Sequence, residues 1–259
     1  YVVWNISPFN RAAHNSSAGS ASASTKMETD FSRKIVRSES TLPKCPRSKA
    51  SAMRTKLANF QTNLYYKTNE EYVFAVAEAM RDEYRQITDS GLLVQLDDAR
   101  LAVTYDRMVP PATEKDYLKW VARHVEILNE AIKGLPREKI RYHVCWGSWP
   151  GPHTTDIPLS KIVNLILKLK VGAFVIEGAN PRHEHEWKVW ADVNLPKEVV
   201  LIPGVISHAT NIVEHPELVA ERVTRLAKLV GRENVIASTD CGFAQGPFYR
   251  RVHPQIMWA

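Results

Sequence analysis

An α/β fold of the TIM-type (βα) barrel class, with part of the barrel unaccounted for, is what this sequence predicts. From residue 64 onward, short apolar runs alternate with amphipathic helical stretches. The runs are apolar throughout rather than alternating, as in a parallel sheet covered on both faces or closed into a barrel. Each run also ends on a reactive side chain: Asp97, the His143/Cys145 pair, Glu177, His208 and Cys241. A (βα) barrel draws its active-site residues from the C-terminal ends of several strands, whereas a doubly wound sheet gathers them at one crevice. Five βα units are recognisable, against the eight of a full barrel.

The first helix is predicted over Tyr72–Thr88, opened by Thr68 as cap and the early acids Glu70 and Glu71. Asp89-Ser90-Gly91 turns the chain into the strand Leu92–Leu96, which leads to Asp97. Thr113 opens a second helix with Leu118, Val121, Val125, Leu128 and Ile132 on one face, closed by Gly134 before the strand Ile140–Cys145. Pro158 starts a third helix carrying Ile162, Leu165, Ile166 and Leu169, followed by the strand Ala173–Ile176. A fourth helix covers roughly 184–192, before the strand Val199–Ile206. Pro216 and Glu217 open a fifth helix with Val219, Val223, Leu226 and Leu229 as its apolar stripe; Gly231 ends it, and Val235–Ser238 is the last strand.

Residues 1–61 are different in kind. Residues 15–25 are Ser/Ala-rich and have no hydrophobic period. Residues 1–60 hold ten Lys/Arg against three acids, so of the chain's net +6 they carry +7 and the remaining 199 residues carry −1. The basic charge therefore belongs to a tail, read as a disordered extension or as sequence not native to the domain in preference to a transit peptide, and Cys45 within it has no assigned role. With a neutral body, nucleic-acid binding is not expected. No apolar run is long enough for a membrane span, and three cysteines are too few for a disulfide scaffold. A reducing, cytoplasmic setting is the expectation.

The strand-end residues carry the chemistry. Positions 143 and 145 project from the same face of a strand while Val144 points the other way. An imidazole, two thiolates and a carboxylate, from His143, Cys145, Cys241 and Glu177, make up a tetrahedral zinc set. His183, Glu184, His185 and Glu186 are read as a solvated helix start in preference to a second metal site. Trp146, Trp149, Trp187 and Trp190 are read as packing residues or as a stacking surface. His124 and His153 receive no role.

At Gln95-Leu96-Asp97-Asp98, His143-Val144-Cys145-Trp146, Phe174-Val175-Ile176-Glu177, Pro203-Gly204-Val205-Ile206-Ser207-His208 and Thr239-Asp240-Cys241-Gly242-Phe243, the chain resembles the cobalamin-independent methionine synthase superfamily. The resemblance covers about residues 62–258, and the string from Gly178 to Glu186 is similar to that of single-barrel relatives. It implies a zinc-dependent methyltransferase of methionine biosynthesis. The methyl group would pass from 5-methyltetrahydrofolate, as its polyglutamate, to the thiol of homocysteine. By the same resemblance His143, Cys145, Glu177 and Cys241 hold the metal, Asp97 grips the amino group of the thiol substrate, and His208 protonates the leaving nitrogen. Ala99 departs from the family, which has proline after the paired acids. The family's first three strands are not recognisable here, and relatives include enzymes that alkylate other thiols, such as epoxyalkane:coenzyme M transferases. The alternatives are thus alkyl transfer to another thiol, or a truncated, non-catalytic remnant.

Overall fold

A computed structural model describes residues 63–147, 152–243 and 252–259. The expectations for residues 1–61 and for Trp149 lie outside the described residues. Residues 73–259 belong to one compact unit; of the unit before it, which ends at Tyr72, residues 63–72 are described.

The chain runs α1 (Asn69–Asp89), β1 (Val94–Asp98), α2 (Thr104–Met108), α3 (Glu114–Ala131), β2 (Ile140–Val144), α4 (Leu159–Ile166), β3 (Ala173–Ile176), α5 (Val189–Asp192), β4 (Val200–Ile206), α6 (Pro216–Val230), β5 (Ser238–Thr239) and α7 (Pro254–Trp258). Single 3-10 turns precede β2, α5 and β5. The five strands are all parallel and lie in the order β1-β2-β3-β4-β5. Sequential order without a reversal is a barrel arc. It has no topological switch point, which a doubly wound sheet requires. The described strands form a half-barrel.

Local chemistry sets the element ends. Thr68 Oγ1 accepts from the Glu71 N–H at 3.1 Å, and Thr113 forms a reciprocal capping box with Asp116 at the start of α3. The end of α1 is a Schellman motif: Gly91, at φ +85°, donates to Thr88 O and Leu92 donates to Ile87 O. That bond explains a correction. The first strand does not begin at Leu92, whose N–H closes the helix. It begins at Val94 and takes in both Asp97 and Asp98.

The last strand is corrected in the same way. Its ladder is confined to Ser238–Thr239, with an isolated bridge from Val235 to Leu201 and an irregularity opposite Gly204 and Ile206. The short helix α2 has no counterpart in the sequence reading. In α6 the expected stripe holds in part: Leu226 is buried and Val219 and Val223 are half-buried, while Leu229 is 38% exposed and Arg222 is the second buried residue. Arg222 takes an apolar position because its guanidinium is satisfied there. It donates to both oxygens of Glu184 (2.9 and 3.3 Å), to Glu214 and to the Val205 carbonyl (2.9 Å).

Register sorts the strand residues onto two faces. Leu96, Tyr142, Phe174 and Leu201 share one level on the helix-covered face and are buried in the main apolar core. Asp97, His143, Val175 and Ile202 share the next level, on the opposite, concave face. Two residues lower on that face come Gln95, Arg141, Ala173 and Val200, each only partly buried. The catalytic candidates therefore look into the concave side.

Candidate metal centre

His143, Cys145 and Cys241 converge. One donor atom from each lies within 4.8 Å of the other two, with His143 and Cys145 buried and Cys241 partly so. His143 is the fourth residue of β2, Cys145 follows the strand's end on the same face, and Cys241 lies two residues beyond β5. β2 and β5 are three strand spacings apart, about 14 Å in a flat sheet. Curvature toward the concave side is what lets their side chains meet.

The donor set fits a soft divalent cation. Both ring nitrogens of His143 are buried and have no hydrogen-bonding N or O partner among the described residues; the Cys241 thiol is the side chain that bonds to the ring, which leaves donor capacity that a metal could take up. Cys145 and Cys241 are thiols not engaged in a disulfide. The Cys145 thiol is pushed well above its ordinary range by its hydrogen bond to Cys241, by burial and by Glu177. Burial opposes a charge on His143, but Cys241, Asp97 and Glu177 together push its pKa upward. Such a concentration of latent negative charge suits a divalent cation.

Glu177 stands beside this trio. Its Oε1 accepts the Trp146 N–H at 3.0 Å and its Oε2 accepts from Asn180 Nδ2 at 2.9 Å. Burial, then the nearby Asp240, raises its pKa to about 7, while a hydrogen bond from the Cys145 thiol acts the other way. Asp97 lies next to His143 in the register and accepts from Gln95 Nε2 at 2.5 Å. Its pKa is raised by burial against the lowering influence of His143. His208 is buried two residues past β4, outside the His/Cys group.

The loop after β1 is capped by Asp98, not Asp97. Asp98 Oδ1 accepts the N–H groups of Arg100 (3.0 Å) and Leu101 (2.8 Å), a side-chain turn that orders the loop around Ala99. Its Oδ2 accepts from Tyr142 Oη at 2.7 Å and pairs with His124 Nε2 at 2.5 Å. His124, given no role from sequence, is the partner of that buried carboxylate; burial opposes a charge on it, but Asp98 raises its pKa on balance.

The reading of residues 183–186 as a solvated helix start is overturned for two of them. His183 and Glu186 are buried. His183 Nδ1 lies 2.8 Å from Glu186 Oε2 and its Nε2 lies 3.2 Å from Asp156 Oδ2. Two carboxylate partners require both nitrogens to donate, and although burial opposes the charge, these acids lift the pKa to about 9. Asp156 also holds Arg182 and His153, and Glu186 Oε1 accepts the Leu159 N–H at the start of α4. Trp146 is buried, donates to the Ile157 carbonyl and packs on His183, which makes it a packing residue. Arg222–Glu184 adds a pair in which the arginine is buried and the carboxylate partly so.

Sequence reasoning passed over three residues at the site. Asp240 is buried and accepts from the loop that follows β3; its place directly before Cys241 was the available signal. Asn180 donates to both Glu177 and Asp240. Arg141, two residues before His143 on the same face, has its Nε buried without a partner among the described residues.

Comparison with known proteins gives one family. The profile described as "Cobalamin-independent synthase, Catalytic domain" matches residues 63–252. A 2-hydroxypropyl-CoM lyase of Xanthobacter autotrophicus is 24% identical over 212 residues, 72% of this chain and 52% of that protein. A methionine synthase of Sulfolobus acidocaldarius is 27% identical over 189 residues, 72% of this chain and 47% of that protein. The chain thus spans about half the length of these curated relatives. The structure of a B12-independent methionine synthase from Shewanella sp. W3-18-1, in complex with selenomethionine, shares the fold. It has a TM-score of 0.55 at 18% identity, over 74% of this chain and 52% of that one.

Proposed function

We propose a metal-assisted alkyl transfer to a thiol, proceeding from the premise that the chain belongs to the family of cobalamin-independent synthase catalytic domains. The observation that carries the proposal is the convergence of His143, Cys145 and Cys241, two of them buried, with neither nitrogen of His143 bonded to an N or O atom among the described residues. These three residues would hold zinc, with Glu177 beside them as the fourth donor of the set read from the sequence. Bound zinc would supply acidification of the acceptor thiol at neutral pH while leaving its sulfur nucleophilic.

The rest of the work falls to the chain. Asp97, on the same face and level as His143, would hold the ammonium group of an amino-acid thiol and so orient its sulfur. Burial and closed packing around Trp146 and His143 keep bulk water from the sulfur. With homocysteine as acceptor and 5-methyltetrahydrofolate as donor, the S–CH3 bond forms as the N–CH3 bond breaks. The departing nitrogen takes a proton, and His208 is the residue we assign to give it. The products are methionine and tetrahydrofolate. A cytoplasmic setting would keep Cys145 and Cys241 reduced.

A second reading has its own support. Arg141 shares the concave face with Asp97, whose charge acts on it, and its Nε has no partner among the described residues, so an acceptor thiol carrying an anionic group would also find a counter-charge there. The lyase relative named for CoM belongs with this reading. The experiment is metal analysis of the purified chain followed by turnover with methyltetrahydrofolate triglutamate and a panel of thiols. About one zinc per chain with homocysteine preferred supports the first reading. Preference for a sulfonate thiol selects the second. A chain that takes up no zinc overturns both.

A further inference from the structure

Asp240 crosses a strand to reach its partners. In the sheet β4 lies between β3 and β5, yet Asp240, at the end of β5, bonds to the loop after β3. Its Oδ1 accepts the N–H groups of Gly178 and Ala179, both at 2.8 Å, and its Oδ2 accepts from Asn180 Nδ2 at 3.2 Å. The same Asn180 nitrogen donates to Glu177 Oε2 at 2.9 Å. Asp240 is 0% exposed, and its own N–H donates to the Ile206 carbonyl of β4.

Gly204 makes the crossing possible. A Cβ at that position would stand 2.0 Å from Asp240 Oδ1, 2.6 Å from its Cα and 2.8 Å from its N. No side chain fits at 204 while Asp240 occupies this path. The absent Cβ and the crossing carboxylate are two halves of one arrangement. Its chemistry is also specific to a carboxylate. All three partners of Asp240 in the β3 loop are donors, so an amide would turn an N–H toward one of them.

We propose that Asp240 is a positioning residue of the metal centre, a tether from the β5 loop across β4 that fixes Glu177 relative to Cys241. The proposal rests on the metal reading given above. One end of the tether is joined by a single peptide bond to Cys241, and the other reaches Glu177 through Asn180. Donors from two non-adjacent strands thereby share one frame. Groups that orient ligands in this way typically change metal affinity 10- to 100-fold when removed.

The test is zinc affinity of the full chain, by competition with a chromophoric chelator, together with the visible absorption of the cobalt-substituted protein. Asp240→Asn is expected to weaken zinc binding about 10- to 100-fold and to alter the cobalt bands. Asp98→Asn, an equally buried change in the separate network of His124 and Tyr142, is expected to lower the melting temperature and leave zinc affinity and cobalt bands unchanged. If Asp240→Asn does not fold, Asn180→Ala tests the same link, because it leaves both bonds to Asp240 Oδ1 in place and cuts the connection to Glu177. Wild-type affinity and unaltered bands in the folded variant overturn the tether alone. A wild-type chain that binds neither zinc nor cobalt overturns the metal reading itself, so the two failures are told apart.

Discussion

Asp97 and Asp98 are neighbours in the chain and serve opposite sides of the sheet. Asp97 lies on the concave face at the level of His143, whereas Asp98 faces the helices and is locked to His124 and Tyr142. The alternation of a strand separates a carboxylate on the concave face from a structural one across a single peptide bond. The two acids should respond to substitution in different observables.

Asp98→Asn should show in acid. The pKa of Asp98 is about 2, because His124, Tyr142 and the Leu101 N–H outweigh the opposing effect of its burial. A depressed carboxylate contributes stability that is present above its unfolded value, near pH 4, and is lost as pH falls toward 2. Urea denaturation should find wild type more stable than Asp98→Asn by on the order of 2 kcal/mol at neutral pH, with the two converging as pH approaches 2. A constant gap down to pH 2 would show that the pair does not account for the difference.

Asp97→Asn should show in substrate binding. The acceptor KM is expected to rise more than about tenfold, the order lost when a charge-assisted hydrogen bond of about 1.5–3 kcal/mol is removed. Zinc content should stay at the wild-type level. An unchanged KM for homocysteine would remove Asp97 from the acceptor site.

His183 should give an alkaline transition. Burial opposes its charge, but Asp156 and Glu186 hold its pKa at about 9. A raised histidine contributes stability that is complete below its unfolded value of about 6.5 and is lost as pH rises through the folded one. Wild type should therefore exceed His183→Asn in denaturation midpoint most at pH 6 and lose that advantage by pH 10. A histidine titration by NMR should place the His183 midpoint well above pH 7, and a midpoint near the unperturbed value would contradict the ion network.

Cys241→Ala should abolish both metal and turnover. It removes one donor of the converging trio, leaving a thiol, an imidazole and the Glu177 carboxylate of the proposed set, which bind zinc far more weakly. Elemental analysis should fall from about one zinc per chain to near none, and thiol titration of the wild type should show Cys145 and Cys241 protected by added zinc and exposed by a chelator. Stoichiometric zinc in the variant would exclude Cys241 as a ligand.

The sequence by itself determined the order of the five strands and the place of the longer helices, because hydrophobic period and caps such as Thr68, Thr113, Gly91 and Gly231 are local signals; the short α2 and the bounds of the first and last strands were not legible in it. It also placed the reactive residues at strand ends, where a barrel exposes them. Tertiary structure alone decided which of them meet. Curvature of the sheet, a collective property of five strands, brings Cys241 to His143 and Cys145. It also decided the residues whose partners lie far away in sequence. Arg222 occupies an apolar stripe because Glu184 and Glu214 reach it, and His183 is buried because Asp156 and Glu186 enclose it. Asp240 reaches the β3 loop because Gly204 lets it pass. Local patterns carry no information about such pairings, since the free energy of a buried charge depends on partners that only the fold assembles.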